Sequence, residues 1–237
     1  MKPSKSHLLL ITGAVLAAVV YLSPNAVAEK AVAIQPPSAE AMQAMTVSAA
    51  TQATATAVFA GGCFWGIQAV FQHTKGVLGA VSGYAGGVQK DADYEKVSSG
   101  NTGHAESVEV TFDPKQISYA QLLQIYFSVA HDPTQLDRQY PDVGPQYRSA
   151  VFYKDASQKQ LVERYIAQLD AAKVFPSKIV TQVSPLKDFY AAEKYHQNYA
   201  TLHPESGYIA QFDLPKIANL KSLMPTIYRE QPVLVKQ

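Results

Sequence analysis

The chain has 237 residues, 47% hydrophobic and 16% charged, enough for one domain with its own core and a sparse charged surface. Twenty lysines and arginines stand against 19 acids, with no basic stripe and no acidic run, so nucleic acid and anionic membrane surfaces are not expected partners. A single cysteine excludes any disulfide within the chain and leaves the fold to its apolar core.

At the start of the chain, Lys2 and Lys5 precede an apolar run from Leu8 to Leu22, followed by Ser23-Pro24 and Ala26-Val27-Ala28. A positive start, a short apolar core and a small-x-small ending are the three parts of a secretory signal peptide. The run is shorter than the roughly 20 residues a bilayer span needs. Residues 1–28 are therefore expected to direct export to the periplasm, with cleavage after Ala28; an uncleaved membrane anchor is the alternative. Cleavage leaves 18 bases against 19 acids, a net charge of −1. Residues 29–53, rich in Ala, Gln, Thr, Ser and Pro, read as a flexible tether, with a transient helix the alternative for the Ala-rich part around Glu40–Met45. The patterned, catalytic part is expected over 54–213, and Pro215, Pro225 and Pro232 punctuate a loosely docked tail over 214–237.

Within the patterned part, Thr54–Ala60 reads as a strand running into Gly61-Gly62, and Cys63–Gln72 has helical spacing of Phe64, Ile67, Val70 and Phe71. Strands follow at Val77–Tyr84 and Glu106–Phe112. Ser118 opens a helix to Ala130, with Gln121 completing a capping box. Ser149–Tyr153 is a short strand, 156–172 a helix, and Ile179–Val183 another strand. Asp188 is expected to cap a tyrosine-rich helix ending near Leu202. The order predicts an α/β (α+β) two-layer sandwich, a mixed sheet with packed helices. The second and third strands lack a helix between them, which argues against a doubly wound parallel sheet. No Gly-x-Gly-x-x-Gly follows a strand, so a dinucleotide site has no support and no cofactor is expected.

Three groups of residues could carry chemistry. Cys63 follows two glycines where a strand gives way to a helix, so its thiol would sit near a helix N-terminus. The partial positive charge there favours thiolate and lowers the pKa. Alternation puts Glu106 on the same strand face as Val108, Val110 and Phe112. Desolvation would keep that carboxyl protonated near neutral pH, fit to be a general acid; a strand end open to solvent is the competing reading. Tyr84, Tyr94, Tyr147 and Asp142 lie in Gly- or Pro-containing loop segments, where a tyrosine taken alone most often covers core surface. His104, His131, His196 and His203 show no metal-ligand spacing, although His104, His131 or His196 could pair with Cys63 as in thiol peptidases.

Five segments in order carry a resemblance. Gly61-Gly62-Cys63-Phe64-Trp65-Gly66, Ser82-Gly83-Tyr84-Ala85-Gly86-Gly87, Ser99-Gly100-Asn101-Thr102-Gly103-His104-Ala105-Glu106, His131-Asp132-Pro133 and Gly144-Pro145-Gln146-Tyr147-Arg148-Ser149 resemble the motifs of A-type peptide methionine sulfoxide reductases. The likeness spans about residues 54–210. It implies a fold related to the ferredoxin-like plait, Cys63 as nucleophile and Glu106 as proton donor. It further implies Tyr94 and Tyr147 as phenols on the sulfoxide oxygen, Asp142 as a substrate-pocket residue, and Phe64 and Trp65 as the wall that holds the S-methyl group. Tyr84 matches no catalytic position. The implied substrates are oxidised proteins and free methionine sulfoxide of the S epimer, with no metal, and the chain is expected to act as a monomer.

The chain departs from the family pattern in two places. Family members often carry further cysteines near the C-terminus that resolve the sulfenic acid formed on the nucleophile. Here that region reads His203-Pro204-Glu205-Ser206-Gly207-Tyr208-Ile209-Ala210, so an outside thiol, thioredoxin-like or small, is the expected reductant. Val143 stands where a histidine is frequent, which weakens the assignment of Asp142. Two other readings compete: a Cys-His hydrolase or acyltransferase, and a non-catalytic envelope binding module with a structural cysteine.

Overall fold

The computed structural model describes residues 30–42 and 53–236. The expected signal peptide lies outside the described residues. In chain order the elements are α1 (Ala39–Met42), β1 (Ala55–Ala60), α2 (Phe64–Gln72), β2 (Val77–Ala85), α3 (Tyr94–Ser98), β3 (Ala105–Phe112), α4 (Tyr119–Ile125), β4 (Arg138–Gln139), β5 (Asp142–Val143), β6 (Ala150–Tyr153), α5 (Ala156–Ala171), β7 (Gln182–Pro185), β8 (Phe189–Ala191), α6 (Tyr199–Leu202) and α7 (Leu214–Leu223).

Six strands form one sheet in the order β7-β6-β1-β3-β2-β8. All neighbours are antiparallel except β6 and β7, so the sheet is mixed. Register follows from alternation. Phe59 faces Val108 and Ala57 faces Val110, and these side chains enter the main core with Ile67, Val70 and Phe71 of α2, Leu122 and Leu123 of α4, and Leu161 and Tyr165 of α5. The other face of the sheet carries a smaller cluster of Val58, Ala60, Ala105, Ala150 and Phe152, covered by Leu186 and Phe189. The predicted α/β arrangement of helices on a mixed sheet is the one observed. So is the capping box: the Ser118 hydroxyl accepts from the Gln121 N–H, and the Gln121 side chain accepts from the Ser118 N–H.

Four expectations need correction. Asp188 does not cap a helix. Phe189–Ala191 instead pairs with Gly83–Ala85 on the edge of β2, because backbone donors and acceptors along an open sheet edge outweigh local helical preference. A short turn over Lys194–His196 and the four-residue α6 follow it. The strand expected at Ile179–Val183 starts three residues later, at Gln182.

The supposed tether is not free over residues 30–42. Val32 exchanges bonds with Ser128, its N–H reaching the carbonyl at 2.9 Å and its own carbonyl taking the hydroxyl at 2.6 Å. The Ile34 and Gln35 carbonyls accept from Gln124 and from the Tyr165 hydroxyl, and Ile34 is buried.

The tail is a wall of the domain. A π-helical turn over Ile209–Asp213 leads into α7, which packs on α2 and buries Lys216 and Leu220. Farther on, Asn198 clasps Val235, accepting its N–H at 2.9 Å and donating to its carbonyl at 3.0 Å. Three prolines in 24 residues misled the sequence reading, because they punctuate the tail without preventing its burial. Leu220→Ala is expected to destabilise the protein by about 2–4 kcal/mol, the cost of emptying a fully buried leucine site. Urea unfolding followed by circular dichroism measures this, and an unchanged midpoint would mean that the tail is only loosely attached.

Candidate active site

Gly61-Gly62 turns the chain from the end of β1 into α2, and Cys63 is the N-cap residue of that helix. Gly62 holds φ +95°, a conformation open to glycine, and a Cβ there would collide with the Gln139 side chain at 2.6 Å. Gly66, one turn into α2, has a different reason to be bare. A Cβ would lie 2.1 Å from the Asp213 Oδ1, so the helix start rests directly against a carboxylate 147 positions downstream.

Glu106 reaches the same point from the second residue of β3. Its Oε2 accepts the N–H of Phe64 at 3.0 Å, and the side chain is almost fully buried. Desolvation dominates its titration and pushes its pKa up to about 8; the Phe64 N–H pulls the other way, and the charges of Asp142 and Asp213 add to the rise. The carboxyl is therefore neutral at pH 7. Since Oε2 is occupied as an acceptor, the acidic proton belongs on Oε1.

Cys63 is buried, and its thiol is pushed well above the ordinary range, first by desolvation and then by Glu106 and Asp213. The Trp65 N–H lowers it, as the helix-end position predicts, but is outweighed. The expectation of a lowered thiol pKa is thus reversed. The helix terminus is where the sequence reading put it, but burial of the sulfur makes its charged form costly.

A cavity of about 190 Å³ is lined by Cys63, Phe64, Trp65, Tyr94, Glu106, Asp142, Tyr147 and Tyr208. It is smaller than the about 300–1,000 Å³ of pockets for drug-sized ligands, a scale suited to one side-chain terminus. All seven residues proposed from the sequence meet here. Tyr94 starts α3, positioned by the Asp93 cap and by its own N–H to Glu193 Oε1 at 3.0 Å. Tyr147 ends the 3-10 turn Pro145–Tyr147, and Asp142 starts β5. Burial raises both phenols' pKa, so each remains a hydrogen-bond donor. A larger hollow of about 470 Å³ opens at the far end of β1, beside Met42, Thr54 and Lys154, away from the thiol.

Tyr84 is a β2 residue, not a loop residue; it is fully buried and donates to Glu193 Oε2 at 2.9 Å. The histidines weighed as partners for a hydrolytic thiol are engaged elsewhere. His104 takes the Gly87 N–H, His131 bonds Ser149 and the Tyr126 carbonyl, and His196 takes the Trp65 indole N–H.

Sequence reasoning missed Tyr208 and Asp213. Tyr208 donates its hydroxyl to Asp142 Oδ2 and sets its ring edge-on to Trp65, 6.0 Å between centroids. Asp213, fully buried, receives Lys216 Nζ at 3.3 Å, and its Oδ2 has no hydrogen-bond partner among the described residues. The Gly207-Tyr208 pair was noted only for lacking a cysteine, and no local pattern brings either residue to the thiol.

The family model for peptide methionine sulfoxide reductase matches residues 55–225. A Mesorhizobium japonicum protein named peptide methionine sulfoxide reductase MsrA 2 is 61% identical over 180 residues, covering 76% of this chain and 92% of that one. A Synechocystis protein of the same name is 47% identical over 175 residues, covering 74% and 82%. Among solved structures, reduced Mxr1 of Saccharomyces cerevisiae aligns with a TM-score of 0.60 at 30% identity over 68% of this chain and 92% of that one. Methionine sulfoxide reductase A of Corynebacterium diphtheriae aligns with a TM-score of 0.56 at 33% identity, over 74% and 85%. With the family model spanning the sheet, the cavity and the whole of α7, the chain belongs to the peptide methionine sulfoxide reductase family.

Proposed function

We propose that this enzyme reduces methionine S-sulfoxide, free or within proteins, with Cys63 as the attacking sulfur and Glu106 as the acid that protonates the departing oxygen. The observation that carries this reading is a buried thiol and a neutral carboxyl in one cavity of about 190 Å³, with two phenols in the same lining. Oxide is a very poor leaving group, so attack on a sulfoxide sulfur needs a proton delivered to the oxygen. Glu106 supplies it, Tyr94 and Tyr147 donate hydrogen bonds as negative charge gathers there, and Phe64 and Trp65 enclose the methyl group. The proton Glu106 gives up is replaced by the Cys63 thiol proton as the sulfur attacks. Attack joins the Cys63 sulfur to the substrate sulfur; that S–S bond and the S–O bond then break as the hydroxyl passes to the Cys63 sulfur. Methionine leaves, reduced by two electrons, and Cys63 is oxidised by two electrons to sulfenic acid.

Regeneration needs two reducing equivalents from outside the chain. One external thiol condenses with Cys63–SOH to a mixed disulfide and water, and a second thiol displaces Cys63 as its thiol. A thioredoxin-like dithiol or a small thiol fits this need. Export, with cleavage after Ala28, is part of the same proposal; its support is the Lys2/Lys5, Leu8–Leu22 and Ala26-Val27-Ala28 pattern.

In a single turnover without reductant, each chain should release one methionine from the S epimer and gain one oxygen on Cys63 by mass spectrometry. Turnover of the R epimer alone, or activity in Cys63→Ser, would overturn the assignment. Glu106→Gln should lower kcat by about 10²–10⁴, the usual reach of general acid catalysis. For the wild type, kcat/KM should fall as pH rises through about 8, where Glu106 loses its proton; a rate that climbs steadily past that point removes Glu106 as the acid.

Stability carries the same signature. Between the ordinary carboxyl value of 4.5 and about 8, folded Glu106 binds a proton that the unfolded chain has lost, so stability falls as pH rises across that window. Glu106→Gln removes this contribution, so its stability relative to wild type should rise by about 2–4 kcal/mol between pH 5 and pH 8; equal pH profiles in denaturant titrations would contradict it. For the export signal, N-terminal sequencing of protein from a periplasmic extract should begin at Glu29, and an intact residue 1–28 segment would refute cleavage.

A further inference from the structure

A cavity of about 190 Å³ takes only the end of one side chain, so the rest of a polypeptide substrate must lie on the surface around it. One part of that surround is the β4–β5 hairpin. The Gln139 side chain fills the space beside Gly62, where a Cβ would lie 2.6 Å from it, and Asp142 lines the cavity itself. Both ends of the hairpin turn are thus seated on the reactive site, and Tyr140 lies between them. Its ring is nonetheless left 41% exposed.

An aromatic path leads from the cavity wall to this ring. Tyr208 lines the cavity, and half-buried Phe212, four residues on, lies 5.1 Å from it between centroids. Tyr140 then meets Phe212 edge-on at 6.0 Å. The Asp142 carboxyl beside the path receives the Tyr208 hydroxyl. These steps match the spacing of a polypeptide. Adjacent Cα atoms are about 3.8 Å apart, and alternate residues of an extended chain about 7 Å. A side chain one or two positions from the residue held in the cavity therefore arrives at Phe212 and Tyr140. An apolar side chain laid on these rings removes aromatic surface from water.

We propose that Tyr140 and Phe212 form an apolar subsite for the side chain flanking the oxidised methionine of a polypeptide, so that sulfoxides with a bulky apolar neighbour are preferred. The proposal rests on the reading of the cavity as the methionine sulfoxide site and names the class of polypeptide segment it serves. Neither residue lines the cavity; both extend its wall outward from Tyr208.

The test compares two capped peptides, acetyl-Gly-Ala-Met(O)-Ala-Gly-amide and its counterpart with Leu at both alanine positions. Each is used as the S-sulfoxide, beside free methionine S-sulfoxide, with dithiothreitol as reductant. The wild-type kcat/KM for the leucine peptide should exceed that for the alanine peptide by about three- to tenfold, from partial burial of an added leucine. Tyr140→Ser should bring the ratio close to one, and Tyr140→Phe, which keeps the ring, should retain it. Equal rates on the two peptides in wild type, or an undiminished ratio in Tyr140→Ser, would overturn the proposal. So would a fall on free sulfoxide equal to that on the leucine peptide, which would make Tyr140 part of the catalytic cavity. An effect of Tyr140→Ser seen only with a thioredoxin-like protein as reductant would assign the surface to that reductant. A dimer lost in Tyr140→Ser by light scattering would assign it to a second copy of the chain, and either result also overturns the proposal. A wild-type protein inactive on every S-sulfoxide would defeat the functional reading instead, while calorimetric titration of the two peptides would still rank their affinities for the subsite.

Discussion

The hydrogen bond from the Phe64 N–H to Glu106 Oε2, 3.0 Å long in a site almost closed to water, joins the start of α2 to the second residue of β3. Everything reactive in the molecule is arranged around that joint. It holds a carboxyl where its charged form is costly, so the group keeps a proton at a pH where an exposed glutamate has lost it. The same desolvation acts on Cys63, one residue before Phe64, and keeps the resting thiol protonated. A resting thiol gains from this, because the oxidant-sensitive form is the thiolate.

The rest of the chain supports the joint at a distance. Asp213 and Lys216 form a buried pair against Gly66, so the first turn of α2 is braced by the segment leading into α7. Breaking such a pair leaves a charge without compensation, and this ties the site to the tail energetically as well as geometrically. Tyr208 bonds Asp142 and packs on Trp65. On the opposite side, Glu193 accepts from both Tyr84 and the Tyr94 N–H, linking β2 to the start of α3. The region where relatives often place a resolving cysteine is here part of the pocket wall. With one cysteine, the chain cannot close a disulfide of its own.

Local pattern was a good guide where local physics decides structure. The Gly-Gly-Cys turn, the alternation that buries Glu106 and the Ser118–Gln121 box are all short-range devices, and each is found as read. The misreadings are long-range. Phe189–Ala191 carries a helix-compatible pattern after a capping aspartate, yet an open edge of β2 claims it as a strand. Residues 30–42 look like linker by composition, yet their carbonyls find donors on Gln124, Ser128 and Tyr165. The thiol pKa went wrong for a related reason. A helix terminus can be read from sequence, whereas the depth of its burial is set by what packs over it.

The chain read alone therefore supplies one thiol, one carboxylate on an apolar strand face and a set of loop tyrosines, and the motif resemblance is what joins them into one candidate site. Alternation and turn-forming glycines act within a few residues, so they are written in the order of the chain. Tertiary structure decided which protonation states those groups hold and what keeps them in place. Desolvation and the neighbouring carboxylates set the former. His196, Tyr208 and Asp213 do the latter, and each arrives from more than 100 residues beyond Cys63 through contacts that only the folded core creates.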